Sequence, residues 1–313
     1  MLKHMKCGSG CLTAMESVRW AFRCGSWTPS PAEWLFAVRC VQAEERERIG
    51  QFVFAKDAKS AMAGRLLMRK LISEHVGIPW DQIRLERTAK GKPFLANPPS
   101  SSSSSVDHRW SFNVSHQGDF AVLAAEQGRQ VGVDVMKIAM PGSSSVSEFF
   151  RIMKRQFTDH EWTTIKASGP EWTQLGMFHR HWALKESFIK AIGTGLGFDL
   201  QRVEFHISPL EIQEGEVYTS TRMHLDSEEE EDWVFEECLL DEQHHVAVAL
   251  GKQESNMGDD EGPDDPHNSP PKFRLLSFSE LVSGAVPLAE EDTSHWESFR
   301  KKQEAPSRQR TAP

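Results

Sequence analysis

Residues 182–190 read Trp-Ala-Leu-Lys-Glu-Ser-Phe-Ile-Lys, and this run constrains the chain more than any other. At about 100° per residue, residues 178–192 place Phe178, Trp182, Leu184, Phe188, Ile189 and Ile192 on one broad apolar arc. Glu186, Lys190 and His179 fall on the polar side. Lys185 breaks the pattern, because its position lies among Phe178, Ile189 and Ile192. An unpaired ammonium there would cost several kcal/mol, so either a fixed anion lies near the helix or the side chain snorkels to solvent. Glu186 and Lys190, four residues apart, could likewise be an ordinary surface pair.

The surroundings of this helix are those of a globular body. Hydrophobic content of 39% and ten tryptophans argue against disorder. Five cysteines (7, 11, 24, 40 and 238) follow no disulfide framework, which points to a reducing compartment. Cys7 and Cys11 have no matching Cys/His pair at zinc-binding distance. No apolar run approaches membrane-spanning length and no secretory signal opens the chain, so the expectation is a cytosolic protein without a membrane partner.

The net charge of −9 hides an asymmetry. Residues 1–106 hold 16 Lys/Arg against 9 Asp/Glu, residues 107–250 hold 12 against 24, and residues 251–313 hold 8 against 12. A basic half joined to an acidic half suits a polyanionic ligand on one side and a cation on the other. Nucleic acid is not the expected partner: no basic stripe is interleaved with aromatics.

Local patterns order the rest. Residues 18–22 read as a strand. Ser30-Pro31-Ala32-Glu33 carries the N-cap, N1 and N3 residues of a helix start, giving a helix to about residue 41. Residues 43–54 and 57–76 follow as helices, the latter closed by Gly77. Residues 83–87 alternate as a strand and run into Arg87-Thr88-Ala89-Lys90-Gly91-Lys92-Pro93, a turn with cations suited to phosphate or simply a solvated hairpin tip. Six serines at 100–105 mark a surface loop. Residues 110–114 form a short strand ending in Ser115-His116, where His116 either meets a ligand phosphate or caps a turn. Residues 120–125 return antiparallel.

Val131, Val133 and Val135 alternate toward a core, leaving Gly132, Asp134 and Met136 on the other face. A carboxylate there needs a partner, either a hard metal ion or a nearby arginine. Residues 149–157 and 159–167 read as helices, with Thr158 as N-cap of the second. Gly193 closes the helix at 178–192, and residues 203–207, 222–225, 233–238 and 245–250 read as four strands of one antiparallel sheet. Glu228–Asp232 is an acidic turn. The tail is acidic and rich in Pro and Gly to residue 272, after which 273–286 has the apolar residues and the Ser277-x-x-Glu280 pattern of a short docked helix.

In order and spacing, Arg87-x-x-x-Gly91-Lys92-Pro93, Asn113-Val-Ser115-His116, Gly132-Val-Asp134 and Trp182-x-x-Lys185-Glu186-x-x-x-Lys190 resemble the 4′-phosphopantetheinyl transferases, most closely those of the broad-specificity animal type. The resemblance runs from about residue 18 to 250. It implies an α+β fold, a pseudo-dimer of two similar α+β halves with the active site in the cleft between them. The halves would be residues 15–128 and 129–250, with 1–14 a disordered N-terminus and 251–313 a largely disordered acidic tail apart from 273–286.

The resemblance also implies the reaction: Mg2+-dependent transfer of 4′-phosphopantetheine from coenzyme A to a serine hydroxyl of an apo acyl carrier protein, releasing 3′,5′-ADP. Asp134 and Glu186 match the magnesium ligands. Arg48, Arg87, Thr88, Ala89, Lys90, Gly91, Lys92, Asn113, Val114, Ser115 and His116 match coenzyme A contacts, and Lys185 and Lys190 match lysines near the pyrophosphate. Glu186 would activate the carrier serine and Lys190 steady the leaving group. One departure stands out, since many relatives have a second acid where this chain has Met136, a poor magnesium ligand, so a water is expected there. Carriers of the fatty acid synthase, mitochondrial and aminoadipate-semialdehyde dehydrogenase types are the implied partners of a monomeric enzyme serving fatty acid synthesis and lysine degradation. Two other classes use the same residues: a magnesium-dependent nucleotide phosphohydrolase and a non-catalytic coenzyme A or carrier-binding module.

Overall fold

The computed structural model describes residues 16–89, 91–96, 110–142, 144–253 and 269–305. The serine run at 100–105, the N-terminal residues 1–14 with Cys7 and Cys11, and Lys90 lie outside them. The fold is α+β in two halves, as expected. In the first, strand β1 (Ser17–Phe22) leads to helices α1 (Pro31–Arg39), α2 (Ala43–Gly50) and α3 (Ala55–Leu71). The hairpin β2 (Leu85–Arg87) and β3 (Pro93–Leu95) and the hairpin β4 (Trp110–Gln117) and β5 (Phe120–Gln127) complete it.

Ser30 makes the full capping box with Glu33, with Pro at N1. The helix expected over 43–54 stops at Gly50, and the long one passes into a π-turn over Ile72–Val76 before Gly77 closes it at φ 77°. β4 runs three residues further than its apolar pattern, so Ser115 and His116 lie within the strand. β5 alternates two cores: Ala121, Leu123 and Ala125 face α3 and the first-half interior, whereas Phe120, Val122 and Ala124 face the second half.

The second half opens with β6 (Arg129–Lys137), then α4 (Val146–Ile152), α5 (Asp159–Ala167) and α6 (Glu171–Ile192). Strands β7 (Val203–His206), β8 (Val217–Tyr218), β9 (Arg222–Leu225), β10 (Glu228–Glu229), β11 (Val234–Asp241) and β12 (His244–Gln253) follow. Here two sequence expectations are corrected. The helix expected over 178–192 begins earlier, since α6 is continuous from Pro170 to the left-handed Gly193. The four late strands do not share a sheet: β11 and β12 pair in the order β6-β12-β11-β8, while β7 pairs with β9 and β9 with β10. Short, separately twisted strands can pack on either side of one helix, and alternation alone does not say which.

Val131, Val133 and Val135 are fully buried against Val122, Ala124, Val246 and Val248, so the halves share one apolar layer. Each such side chain contributes roughly 1.5–3 kcal/mol on burial. Arg19 staples the halves across its edge, binding Glu236 at 2.8 Å and Glu126 on β5. On the other face of β6 a Cβ at Gly132 would fall on the Ser187 carbonyl oxygen and the Ala191 amide nitrogen. Glycine there lets α6 lie directly on the strand, setting the height of Glu186 and Lys190 over Asp134.

The tail packs further than 273–286. β13 (Arg274–Leu275) adds to β1 in parallel, and α7 (Phe278–Leu281) carries the expected Ser277/Glu280 capping box. Beyond residue 286, α8 (Ser294–Phe299) also docks, with Phe299 stacked on Trp34 at 3.8 Å between centroids. The expectation of a largely disordered stretch there is corrected for these residues, because their aromatics complete the first-half core. Among the described residues no helix is long and apolar enough to cross a membrane.

Candidate active site

A cleft of about 730 Å³ opens between the halves. Gly91, Lys92, Pro93, Asn113 and Val114 line it from the first half; Trp182, Glu186, Ile189 and Lys190 line it from α6. Three chemical groups meet at its floor. Asp134 Oδ1 accepts the Ser115 hydroxyl at 2.7 Å and the Lys190 ammonium at 2.6 Å, and Lys190 also donates to Ser115 Oγ at 2.8 Å. Glu186 sits beside them with no hydrogen bond or ion pair among the described residues. Burial, and then the Asp134 charge, push its carboxyl above the ordinary glutamate value, with Lys190 pulling the other way.

This geometry resolves alternatives that the sequence left open. Lys190 does not pair with Glu186 on a surface; it reaches Asp134 on β6. Asp134 has Ser115 and Lys190 as partners rather than an arginine. His179, expected on the polar side, is buried with Nδ1 bonded to its own helix at Leu175 O, 2.7 Å.

Lys185 requires a correction. It does not reach over the helix edge toward a ligand phosphate. Its Nζ bonds Glu161 Oε2 at 2.7 Å, Leu200 O at 2.8 Å and Val203 O at 2.7 Å, and it is 1% exposed. All three ammonium hydrogens are used. The fixed anion that the wheel called for is Glu161, at the start of α5.

The remaining expected contacts divide. Lys92 lines the cleft, its ammonium bonded to Lys190 O at 3.1 Å, and burial lowers its pKa. Arg87 binds both Glu45 oxygens and Gly91 O, which holds the hairpin tip. Thr88 closes the same tip: its Oγ1 accepts the Lys92 amide at 3.1 Å, while Gly91 takes φ 85°. Ala89 is exposed, and Lys90 is outside the described residues. Asn113 uses its side-chain oxygen to accept the Val133 amide, tying β4 to β6. Val114 lines the cleft directly, whereas Ser115 belongs to the carboxylate cluster.

Arg48 bonds Glu45 at 3.2 Å, and Arg65 on α3 approaches the same carboxylate at 3.3 Å. Burial would raise Glu45, but Arg65, Arg87 and Arg48 together outweigh it and hold the carboxyl low. One carboxylate among three guanidiniums leaves a net positive cluster. His116, exposed on β4, feels it: desolvation by neighbouring atoms, then Lys190, Arg65 and Arg48, keep its imidazole below the ordinary histidine value.

Sequence reasoning missed Arg65, whose Nε has no hydrogen-bond partner among the described residues, and the cleft residues Arg155 and Gln156. The only signal for Arg65 was a cation at a core-facing position of α3. Nothing local flagged Arg155.

The donor set also bears on a metal. Two adjacent carboxylates, of which only Asp134 Oδ1 is engaged among the described residues, are the oxygen ligands a hard divalent ion takes. Met136 packs with the apolar residues under α6 and offers such an ion nothing.

Comparison with known proteins gives the family. A family model described as 4′-phosphopantetheinyl transferase, N-terminal, matches residues 25–128, and one described as 4′-phosphopantetheinyl transferase superfamily matches residues 130–249. The chain is 58% identical over 303 residues to the L-aminoadipate-semialdehyde dehydrogenase-phosphopantetheinyl transferase of Xenopus laevis, covering 95% of this chain and 96% of the relative. It is 57% identical over 299 residues to the protein of that name in Homo sapiens, with the same coverage. A phosphopantetheinyl transferase from Thraustochytrium is 38% identical over 236 residues, covering 74% of this chain and 77% of the relative.

Proposed function

The chain belongs to the 4′-phosphopantetheinyl transferase superfamily, and on that premise we propose that it moves 4′-phosphopantetheine from coenzyme A to the serine hydroxyl of apo acyl carrier proteins, releasing 3′,5′-ADP. The observation that carries the mechanism is the partly buried Glu186, without a hydrogen bond or ion pair among the described residues, beside the Asp134–Lys190 pair in the cleft that Lys92 also lines. The serine oxygen forms a bond to the phosphorus that bears pantetheine. The bridging P–O bond breaks, its electron pair leaves with 3′,5′-ADP, and the serine proton passes to Glu186 directly or through a water.

A glutamate whose pKa lies above its ordinary value suits that role better than a free one, because proton transfer is most effective when base and pH are closer. Lys92 and Lys190 supply positive charge at the pyrophosphate, where negative charge develops on the leaving group during displacement. The cluster of Arg48, Arg65, Arg87 and His116 supports a place for the nucleotide phosphates in the first half, in line with that half's basic balance. Mg2+ held by Asp134 and Glu186 would neutralise non-bridging phosphate oxygens. The partners in this reading are carriers of the aminoadipate-semialdehyde dehydrogenase type, as the animal relatives' name suggests, with fatty acid synthase and mitochondrial carriers beside them.

The test is to incubate the full chain with coenzyme A, Mg2+ and apo-carrier and to weigh the carrier. The expected result is a gain of one phosphopantetheine, matched by 3′,5′-ADP and abolished when the acceptor serine is alanine. Coenzyme A cleavage without a gain on the carrier would replace this reading with a phosphohydrolase, and no turnover of either would leave a binding module.

A further inference from the structure

Away from the cleft, the second half gathers a set of side chains that the transfer chemistry does not use. Glu204 and His206 are two residues apart on β7 and project from its solvent side, since Val203 and Phe205 take the buried positions. His160, in the first turn of α5, stacks on His206 with ring centroids 4.2 Å apart. On the neighbouring strand, His224 stands opposite Glu204 in register and stacks on His206 at 4.1 Å. His206 Nε2 lies 2.8 Å from Glu204 Oε1. One ligand atom each from His160, Glu204 and His206 lies within 4.8 Å of the other two.

We propose that His160, Glu204 and His206 bind a borderline divalent transition-metal ion, of which Zn2+ is the type, at a site separate from the cleft. Two imidazoles and a carboxylate are a donor set that zinc takes with a fourth position left to water, whereas a hard ion such as Mg2+ prefers oxygen throughout. Tetrahedral zinc with ligand bonds of about 2.0–2.2 Å holds its ligand atoms roughly 3.3 Å apart. The His206–Glu204 pair therefore opens slightly and the wider pairs close, which the exposed His160 side chain permits by rotation. Stacking on His224 fixes the plane of the His206 ring, and the backbone register fixes both β7 ligands.

One further observation favours the site. The surrounding segment, residues 107–250, holds 24 acidic against 12 basic residues and so attracts cations. The consequence is mechanical. The ion would join the start of α5 to β7 on their outer side, while on the inner side Glu161 accepts the Phe205 amide at 3.0 Å and holds Lys185. Lys185 immediately precedes Glu186, so the site braces the frame behind the catalytic helix.

The experiment uses the full chain, stripped of metal with a chelator and kept in excess Mg2+. Zn2+ is titrated in competition with a chromophoric chelator, and Co2+ is added separately to read tetrahedral visible absorption. The parent is expected to take up one Zn2+ through this site and to melt at higher temperature with it. His160→Ala/His206→Ala should weaken that binding by about 100-fold or more and lose the thermal shift, with its metal-free melting unchanged. Should the double variant not fold, the single change at exposed His160, His160→Gln, carries the same test. Cys7→Ser/Cys11→Ser should bind as the parent does. Parent-like affinity in the His160/His206 variant, loss of binding in the cysteine variant, displacement by Mg2+, or no uptake by the parent would each overturn the proposal.

Discussion

Replacing Lys185 by methionine separates two roles for this residue. In one it holds a ligand phosphate; in the other it neutralises a buried carboxylate. Glu161 is wholly buried and accepts the Thr158 amide at 2.9 Å, the Phe205 amide at 3.0 Å and the Lys185 ammonium at 2.7 Å. Burial pushes Lys185 down and Glu161 up, so each is drawn toward its neutral form despite the other. Such a pair adds little net stability, yet breaking it leaves a charge without a counterion, a loss of about 3–5 kcal/mol. The carbonyls of Leu200 and Val203 lose their donor as well.

At roughly 2 °C per kcal/mol for a large domain, Lys185→Met should lower the melting temperature by about 6–10 °C. Lys185→Met/Glu161→Gln should recover part of this, since glutamine keeps one acceptor and removes the charge. Calorimetry gives the stability, and initial rates over a coenzyme A series give KM. The structural account requires a stability loss with KM for coenzyme A close to the parent's in the folded fraction. An unchanged melting temperature with KM raised tenfold would refute it and return Lys185 to the ligand.

Glu186→Gln should lower turnover roughly 10²–10⁴-fold. Because the folded protein raises this carboxyl, its ionisation destabilises the fold as pH rises through the ordinary glutamate range toward the raised value. In metal-free buffer at neutral pH the variant should thus melt no lower than the parent, with the difference vanishing in acid, and a clear destabilisation would contradict that electrostatic account. The acid limb of the parent's kcat/KM profile should disappear in the variant; a profile identical in both would deny Glu186 the role of base. Gly132→Ala places a methyl on the backbone of α6 and should depress both melting temperature and turnover, an effect absent if the helix can slide freely. Phe299→Ala should cost about 3–5 kcal/mol by emptying the site against Trp34, with KM values unchanged, and a neutral effect on melting would show that α8 does not complete the core.

Much of this was legible in the sequence because it is encoded within a few residues. The capping boxes at Ser30, Thr158 and Ser277 need only an N-cap and a glutamate three positions on, and all three form. The alternation from Val131 to Met136 placed Asp134 opposite the valine core, and Gly193 ended α6 where its backbone freedom allowed. The order of motifs identified the family. Tertiary structure decided which buried charge meets which. Lys185 finds Glu161 in a preceding helix, Lys190 finds Asp134 instead of Glu186 one turn away, and Glu45 collects arginines from α2, α3 and β2. It also divided the late strands between two sheets and brought Phe299 onto Trp34. A helix turn or a cap is fixed by bonds spanning three or four residues. A desolvated charge is satisfied only by whichever group chain closure delivers to it, and no local pattern carries that address.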